Sequence, residues 1–314
     1  MPLGTSKLQK LRKTELQVSD ICFGGNVFGW TADQLDSFRL LDGFIEHGGN
    51  FIDTADVYSS WKPGNSGGES ETIIGNYLKL KGNRDQVVIA TKVAMLETRK
   101  GLSKSNIIAA CNDSLARLQT DYIDIYYAHS DDTETDLTET LEGFNSLVEQ
   151  GKVRYIAASN YTFDRLNQAL NISKENNLAS YVALQNRYSL VAREPYESDG
   201  AKSVEEFKIS GLPYSTLGSG FLSGKYRAGE TVDSQRAEGV KNNYLNAENI
   251  ELLKRLEQVA NEYQVSNTAV ALAWLRRQPG VTVPLASART LAQLEELMQK
   301  VELTTQEISF IAGE

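Results

Sequence analysis

The amino-acid sequence predicts an α/β protein, a single (β/α)8 TIM barrel over residues 1–314 with extra helices in the loop after the seventh strand and at the C-terminus. Short apolar runs rich in β-branched and aromatic residues alternate with helix-like segments along most of the chain. This alternation is typical of parallel strands joined by crossover helices. A length of 314 residues suits one barrel of this kind. The chain is 41% hydrophobic and 23% charged, which indicates a packed core and not a disordered protein.

The predicted barrel strands are short runs bounded by turn residues. In chain order they are 18–23, 50–55, 86–93, 122–128, 153–159, 181–185, 212–215 and 281–284. The predicted helices between and after them are 33–47, 70–80, 103–118, 136–149, 162–175, 248–263 and 266–277. Ser103 is a suitable N-cap for its helix, and Gly151 is a suitable residue to end the helix at 136–149.

The segment 218–247 is predicted as a long loop, because it contains five glycines and many polar residues. Loops of this length within a compact domain usually carry function. The segment is flanked by predicted helices, so it is not expected to be a linker between domains.

Charge and composition exclude several classes of partner. The net charge of −9 disfavours binding to nucleic acid or to anionic lipid, since both require a basic surface. Residues 1–15 are too polar for a signal peptide, and the longest apolar run, 269–275, is too short to span a membrane. Cys22 and Cys111 lie far apart in the sequence and form no metal or redox motif. We therefore expect a cytoplasmic protein with free thiols, and the sequence leaves its oligomeric state open.

Polar residues follow the predicted strands at the points where the strands end. In a closed parallel barrel the carboxyl ends of the strands surround one pocket, and catalytic groups lie there. The side chains at these positions should therefore come together. They are Asp53, Tyr58, Lys92, His129, Ser159, Asn160, Gln185, Tyr214 and Ser215.

Four of these residues suit the donation of a proton to a substrate oxygen. An ordinary phenol has a pKa of about 10 and donates poorly at neutral pH. We expect the ammonium of Lys92 to lower the pKa of Tyr58, and Asp53 to keep Lys92 charged and oriented. His129 is placed to form a hydrogen bond to the acceptor oxygen. None of the four is a source of electrons, so a reduction at this site requires a cofactor.

Simpler interpretations stay open for each of these residues. An aspartate and a lysine at a barrel rim can form a purely structural ion pair, a tyrosine is often a packing residue, and a histidine often belongs to the core. A metal-dependent hydrolase that uses His129, Asp131 and Asp132 is a further alternative. No second ligand histidine is near in the sequence, so we predict no metal site.

Six ordered motifs resemble the aldo-keto reductase family, and the resemblance extends over about 14–301. The motifs are GGNFIDTADVY (48–58), GESETIIGNYL (68–78), VVIATKV (87–93), LQTDYIDIYYAH (118–129), GKVRYIAASNYT (151–162) and LPYSTLGSGFLSGKY (212–226). Together they are far more specific than any single short motif. The resemblance implies a catalytic tetrad of Asp53, Tyr58, Lys92 and His129, in which Tyr58 is the general acid.

The resemblance also implies NADPH as the cofactor and a small-molecule carbonyl compound as the substrate. The implied cofactor-binding residues are Gly25, Asn26, Asp53, Ser159, Asn160, Gln185, Tyr214, Ser215, Thr216, Leu217, Gly218, Ser219, Lys225, Ser287, Arg289, Gln293 and Glu296. Arg289 precedes a predicted helix start, and a cation there suits the 2′-phosphate. Phe28, Trp30 and Trp61 are expected to form apolar walls for the substrate.

The sequence departs from the family pattern at several points. Leu297 stands where many relatives have an asparagine facing the adenine, and Thr216 replaces a common proline, which should loosen that loop. Because the sequence stops at Glu314, we expect the protein to lack the long C-terminal loop of some branches. The β subunits of voltage-gated potassium channels share this barrel, so a regulatory barrel that binds the cofactor with little turnover is the alternative to an enzyme.

Overall fold

The computed structural model describes residues 6–227, 232 and 234–314, and within these residues the chain forms ten β-strands and eleven α-helices. The strands are β1 (Leu8–Lys10), β2 (Gln17–Ser19), β3 (Cys22–Gly24), β4 (Phe51–Asp53), β5 (Val88–Val93), β6 (Ile123–Ala128), β7 (Val153–Ser159), β8 (Tyr181–Gln185), β9 (Ser210–Gly211) and β10 (Leu285–Ala286). Strands β1 and β2 form an antiparallel hairpin. The other strands form one parallel sheet in the order β10, β3, β4, β5, β6, β7, β8, β9.

The sheet closes between its two edge strands. The Leu285 N–H donates to the Pro213 carbonyl at 2.9 Å, and the Thr282 N–H donates to the Gly211 carbonyl at 2.8 Å. Every residue of β5 and β6 is buried, as expected for strands covered on both faces. The predicted (β/α)8 barrel is therefore confirmed.

Helices surround the barrel and cover its outer face. They are α1 (Gln34–Glu46), α2 (Glu69–Lys81), α3 (Lys104–Leu118), α4 (Leu137–Glu149), α5 (Phe163–Glu175), α6 (Ala201–Phe207), α7 (Ala237–Tyr244), α8 (Ala247–Tyr263), α9 (Asn267–Arg276), α10 (Leu291–Met298) and α11 (Thr305–Ala312). The Ser103 hydroxyl accepts a hydrogen bond from the Asn106 N–H, so this predicted N-cap of α3 is present. None of the helices in the described ranges is long and apolar enough to cross a membrane.

Two predicted strands are displaced along the sequence. In the run at 212–215, Tyr214 forms an isolated bridge with Arg187, and the regular strand β9 precedes the run. Strand β10 follows the run at 281–284. Pro213 and Pro284 have no N–H to donate, so each limits the ladder on one side. A Cβ on Gly211 would lie 1.8 Å from the Gly280 carbonyl oxygen, so the chain can pass there only as glycine.

The prediction of a long loop at 218–247 is wrong in part. A 3-10 turn occupies Gly218–Ser223, and α7 and the first residue of α8 also fall within the segment. Residues 228–231 and 233 of this predicted loop lie outside the described residues. Helices after the seventh strand and at the C-terminus were expected, and α7, α10 and α11 confirm them.

Candidate active site

Four of the predicted residues meet where β4, β5 and β6 end. Asp53 is the last residue of β4, Lys92 is the penultimate residue of β5, and His129 directly follows β6. Tyr58 lies in the turn after β4, five residues beyond Asp53. Since parallel strands place their carboxyl ends at one edge, these side chains lie at one end of the barrel.

The ammonium of Lys92 is the centre of a buried hydrogen-bond network. It donates to Asp53 Oδ2 at 2.6 Å, to the Thr54 carbonyl at 2.8 Å and to the Tyr58 hydroxyl oxygen at 2.9 Å. All three of its donors are therefore satisfied. The Tyr58 hydroxyl donates in turn to Asp53 Oδ2 at 3.0 Å. The side chains of Lys92 and Asp53 are both fully buried, so their ion pair is shielded from water.

The pKa of Tyr58 moves in the opposite direction to our expectation. Burial raises the pKa of Tyr58 well above its ordinary value, and the charge and hydrogen bond of Asp53 raise it further. Loss of the phenolic proton would place a second negative oxygen 3.0 Å from the Asp53 carboxylate. Burial and Asp53 therefore set the direction of the Tyr58 pKa, although the ammonium of Lys92 lies 2.9 Å from the phenol oxygen. Burial lowers the pKa of Lys92, while the charge of Asp53 opposes that shift.

His129 is a neutral imidazole beside the phenol. It is 9% exposed, and its ring centroid lies 6.0 Å from that of Tyr58. Burial lowers the pKa of His129 well below its ordinary value, and the positive charge of Lys92 lowers it further. Its Nδ1 atom is buried and has no hydrogen-bond partner among the described residues. A neutral histidine can donate one hydrogen bond to an oxygen placed near Tyr58.

Four of the predicted cofactor-binding residues form hydrogen bonds in or beside this network. The Gln185 amide donates to Asp53 Oδ1 at 2.9 Å, and the Ser159 hydroxyl donates to the Gln185 carbonyl at 2.8 Å. The Tyr214 hydroxyl donates to Asn160 Oδ1 at 2.8 Å. These hydrogen bonds hold the amide groups of Gln185 and Asn160 in defined orientations near the buried ion pair.

A cleft of about 400 Å³, called the main cleft below, extends from Tyr58 between the barrel and the C-terminal helices. Most of the predicted cofactor residues line it. These are Asn26, Tyr214, Ser215, Thr216, Leu217, Ser219, Lys225, Ser287, Arg289, Gln293 and Glu296. Gly25 and Gly218 are buried and do not line the cleft. Gly25 instead supports the site, because its N–H donates to the Asp53 carbonyl at 2.7 Å.

Three cationic side chains, all far from Tyr58 along the sequence, line the main cleft. They are Lys225, Arg236 and Arg289, and within the described ranges none of them forms an ion pair. Burial lowers the pKa of Lys225, and the charges of Arg289 and Arg236 lower it further. Burial and Arg289 likewise lower the pKa of Arg236. The cleft therefore holds positive charge that an anion would neutralise.

Sequence reasoning missed Arg236, which directly precedes α7. The only available signal was a single cation within a polar segment that was expected to be functional. Because 218–247 was predicted as a loop, the start of α7, and with it the position of Arg236, was not assigned. The guanidinium of Arg236 lies over the ring of Trp30, 5.3 Å from the ring centroid, in the main cleft.

Short hydrogen bonds fix the groups around the cations. The Ser287 hydroxyl donates to Asn26 Oδ1 at 2.6 Å, and the Arg289 N–H donates to Gln293 Oε1 at 2.9 Å. The Thr216 hydroxyl donates to the Leu285 carbonyl at 2.8 Å and ties the loop to β10, a contact that opposes the expected loosening.

Aromatic side chains surround the opening beside Tyr58. The ring centroids of Trp30 and Trp61 are 5.7 Å apart, and Trp61 lies 6.1 Å from Tyr58, in each case edge to face. Trp61 is 47% exposed, so an incoming ligand can reach it. The prediction that Phe28 is a substrate wall is wrong. Phe28 is fully buried and packs against Phe23 at 5.9 Å, as part of the core.

The residues of the alternative metal site serve other contacts. Asp131 forms an ion pair with Arg165 at 2.7 Å, and Asp132 accepts the Leu102 N–H at 2.7 Å. Within the described ranges no group of three or more histidine, cysteine, aspartate or glutamate side chains is arranged to hold a metal ion.

Comparisons with known proteins agree with this geometry. The sequence model of the aldo/keto reductase family matches residues 20–313. The chain is 33% identical over 306 residues to the uncharacterized oxidoreductase YrpG of Bacillus subtilis, covering 94% of this chain and 90% of that protein. It is 29% identical over 330 residues to protein tas of Escherichia coli, covering 95% and 94% of the two chains.

Another relative of similar identity has a name that indicates a different role. The chain is 29% identical over 307 residues to a probable voltage-gated potassium channel subunit beta of Arabidopsis thaliana, covering 94% of this chain and 91% of that protein. The family match nevertheless covers nearly the whole chain, including the residues that form the barrel and the main cleft. The chain therefore belongs to the aldo/keto reductase family, whose members are oxidoreductases that generally use NAD(P)H and act on small carbonyl compounds.

Proposed function

We propose that residues 1–314 form one domain that reduces small aldehydes or ketones to alcohols with NADPH. One observation carries this proposal. The Tyr58 hydroxyl lies within hydrogen-bonding distance of both Lys92 and Asp53 at one end of the main cleft. The same cleft is lined by Lys225, Arg236 and Arg289, so a proton donor and an anion-binding region share one cavity.

The residues of the main cleft fit a phosphorylated dinucleotide. The three cations form no ion pair among the described residues. The charge of Arg289 lowers the pKa of Lys225 and of Arg236, so phosphate groups would relieve this repulsion. Arg289 and Arg236 would hold the 2′-phosphate and distinguish NADPH from NADH. Lys225 and the backbone of 215–219 would hold the pyrophosphate. Bound NADPH would supply the hydride, which no protein side chain at the site can provide.

The amide groups next to the buried ion pair would orient the nicotinamide end. Gln185 and Asn160 are already held by hydrogen bonds to Asp53 and Tyr214, so little ordering is required when the carboxamide binds. Tyr214 lines the main cleft and offers its ring as a stacking surface. Leu297 lines the main cleft and would bring an apolar side chain to the adenine, where an amide would form hydrogen bonds.

Tyr58 would act as the general acid. The phenol is protonated at neutral pH, but its raised pKa makes it a weaker acid, so transfer of its proton to a carbonyl oxygen depends on groups that stabilise the phenolate. The phenolate left behind would lie beside Asp53, and the ammonium of Lys92, 2.9 Å from the same oxygen, would compensate its charge. Neutral His129 would donate a hydrogen bond to the carbonyl oxygen and hold it near Tyr58.

The aromatic side chains at the opening would bind the remainder of the substrate. Trp30 and Trp61 form an apolar surface next to Tyr58, and the exposed face of Trp61 is free to contact a ligand. We propose these two residues, without Phe28, as the substrate walls.

A second candidate function is supported by one comparison. Because a probable potassium channel β subunit of Arabidopsis thaliana is among the relatives, the chain could be a cofactor-binding regulatory barrel with little turnover. The complete hydrogen-bond network of Tyr58, Lys92 and Asp53 favours catalysis. Multiple turnovers with a simple aldehyde would decide between the two.

The proposal is tested by following absorbance at 340 nm with purified protein, NADPH or NADH, and a panel of aldehydes, ketones and sugars. We expect oxidation of NADPH that depends on the carbonyl compound, with alcohol formed in equal amount. NADH should be used with a higher KM. If no compound in the panel is reduced, although NADPH binds, the regulatory alternative gains support and the proposed reaction fails.

A further inference from the structure

Asp56 is a buried carboxyl group in the turn that joins Asp53 to Tyr58. Its side chain is 1% exposed, and neither carboxyl oxygen has a hydrogen-bond donor within the described ranges. The Val57 N–H lies near the carboxyl group but not in hydrogen-bonding geometry. The Asp56 N–H donates to the Lys92 carbonyl at 3.2 Å, so the residue joins the turn to β5. The proposed mechanism gives this side chain no role.

The groups that face Asp56 come from four elements: Glu71 on α2, Arg117 on α3, Lys92 on β5 and Tyr126 on β6. Glu71 is fully buried and accepts hydrogen bonds from the Thr91 hydroxyl at 2.5 Å and from Arg117 Nε at 2.6 Å. The nearby guanidinium therefore already serves another carboxylate.

This arrangement favours the neutral form of Asp56. A buried carboxylate without donors is strongly disfavoured, and a second carboxylate beside Glu71 adds repulsion. Burial raises the pKa of Asp56 to about 8, and the charge of Glu71 contributes to the increase. At neutral pH the group is protonated, and it ionises under mildly alkaline conditions.

The hydroxyl of Tyr126 adds a second sign of an incomplete polar cluster. It is buried and without a partner among the described residues, as is Asp56. Ionisation of Asp56 would place negative charge in this cluster on oxygens that accept no hydrogen bond from the described residues. The turn from Asp53 to Tyr58 is short, so a movement of Asp56 towards Arg117 or towards water would displace Tyr58 as well.

We propose that Asp56 is a positioning residue: its neutral carboxyl group lets the Asp53–Tyr58 turn stay packed with Tyr58 against Lys92, and ionisation of this buried group switches the site off. This inference rests on the proposed function, since the loss it predicts is a loss of carbonyl reduction. Asp56 itself touches neither the substrate nor the cofactor.

The test is the pH dependence of kcat from pH 6 to pH 10 in the wild type, in Asp56→Asn and in Asp121→Asn. Asp121 is exposed, and its replacement is the matched control. With a pKa of about 8, the wild type should retain about one tenth of its neutral activity at pH 9. In Asp56→Asn the ratio of activities at pH 9 and pH 6.5 should rise by about fivefold or more. Asp121→Asn should follow the wild type.

A second variant should shift the alkaline loss of activity in the opposite direction, to lower pH. Glu71→Gln removes the charge that raises the pKa of Asp56 and releases Arg117, so Asp56 should ionise at lower pH. The alkaline loss of activity should then begin below that of the wild type. A purely structural role for Asp56 predicts no opposite shifts of this kind.

Thermal unfolding gives a readout that needs no turnover. The pKa of Asp56 is about 8 in the folded protein and 3.8 in an exposed aspartate. The folded state therefore binds more protons between these values, and its stability falls as pH rises through that window. Asparagine cannot ionise and does not have this pH dependence. The difference between the Tm of Asp56→Asn and the Tm of the wild type should therefore increase between about pH 4 and pH 8 and then stay constant.

Two results would overturn the inference. One is a parallel alkaline loss in the wild type and Asp56→Asn, which would assign the loss to Lys92, whose pKa burial also lowers. The other is a Tm difference between these proteins that does not change with pH. A wild type that reduces no carbonyl compound at any pH would instead refute the proposed function, and the Tm series would still report whether Asp56 is protonated.

Discussion

Replacement of Lys92 by methionine separates the stability of the buried ion pair from its role in the reaction. Methionine keeps a long apolar side chain but removes the charge that faces Asp53 at 2.6 Å. Asp53 keeps donors from Gln185 and Tyr58, yet no cation remains beside a fully buried carboxylate. Removal of one partner of such a pair costs about 3–5 kcal/mol. We expect Lys92→Met to lower the free energy of unfolding in urea by this amount at pH 7.

The double variant Lys92→Met/Asp53→Asn supplies the decisive comparison. It leaves no uncompensated charge, so most of the lost stability should return, since a buried pair is often replaced without net cost. Turnover should stay absent in both variants because the phenol lacks its cationic neighbour. The exposed pair Lys10–Glu15 provides a control, and Lys10→Met should change stability by less than about 1 kcal/mol. If the double variant is no more stable than Lys92→Met, the reasoning about an uncompensated charge is refuted.

Three further predictions concern the phosphate-binding region, the aromatic walls and metal independence. Arg289→Ala should weaken NADPH binding by about 10-fold to 100-fold and NADH binding by less than about threefold in fluorescence titrations, and equal weakening would remove its role at the 2′-phosphate. Phe28→Ala should lower the unfolding free energy by about 3–5 kcal/mol. Trp61→Ala should change that free energy by less than about 1 kcal/mol while raising the KM for aldehydes, and the reverse pattern would reinstate Phe28 as a wall. Turnover should persist in excess EDTA. If EDTA abolishes activity and added zinc restores it, the result would support a metal centre.

Much of the barrel was predictable because its strands and helices carry strong local patterns. The run at 86–93 is apolar and β-branched and forms β5, and the helix capped by Ser103 begins where the cap indicates. The last two strands were displaced because each is only two residues long and is limited by a neighbouring proline. Pairing of so short a strand depends on the closing of the barrel, which local sequence does not encode.

The candidate site was predictable to the extent that its residues follow strand ends. Asp53 and Lys92 were expected to meet, and the structure brings them together. The direction of the Tyr58 pKa was not predictable, because it depends on burial and on the hydroxyl donating to Asp53. Phe28 was assigned wrongly, since an apolar residue in a loop can face either the core or the pocket. Arg236 was missed because its position depends on how a polar segment folds across the cleft.

The central claim is that the Tyr58 hydroxyl gives its proton to the carbonyl oxygen as hydride arrives. The most direct measurement is the single-turnover rate of NADPH oxidation by Tyr58→Phe with cofactor and aldehyde both saturating. We expect this rate to fall by about 10²-fold to 10⁴-fold, while the Kd for NADPH changes by less than about threefold, because only the proton donor is removed. A single-turnover rate within a factor of a few of the wild type would contradict the assignment of Tyr58 as the acid.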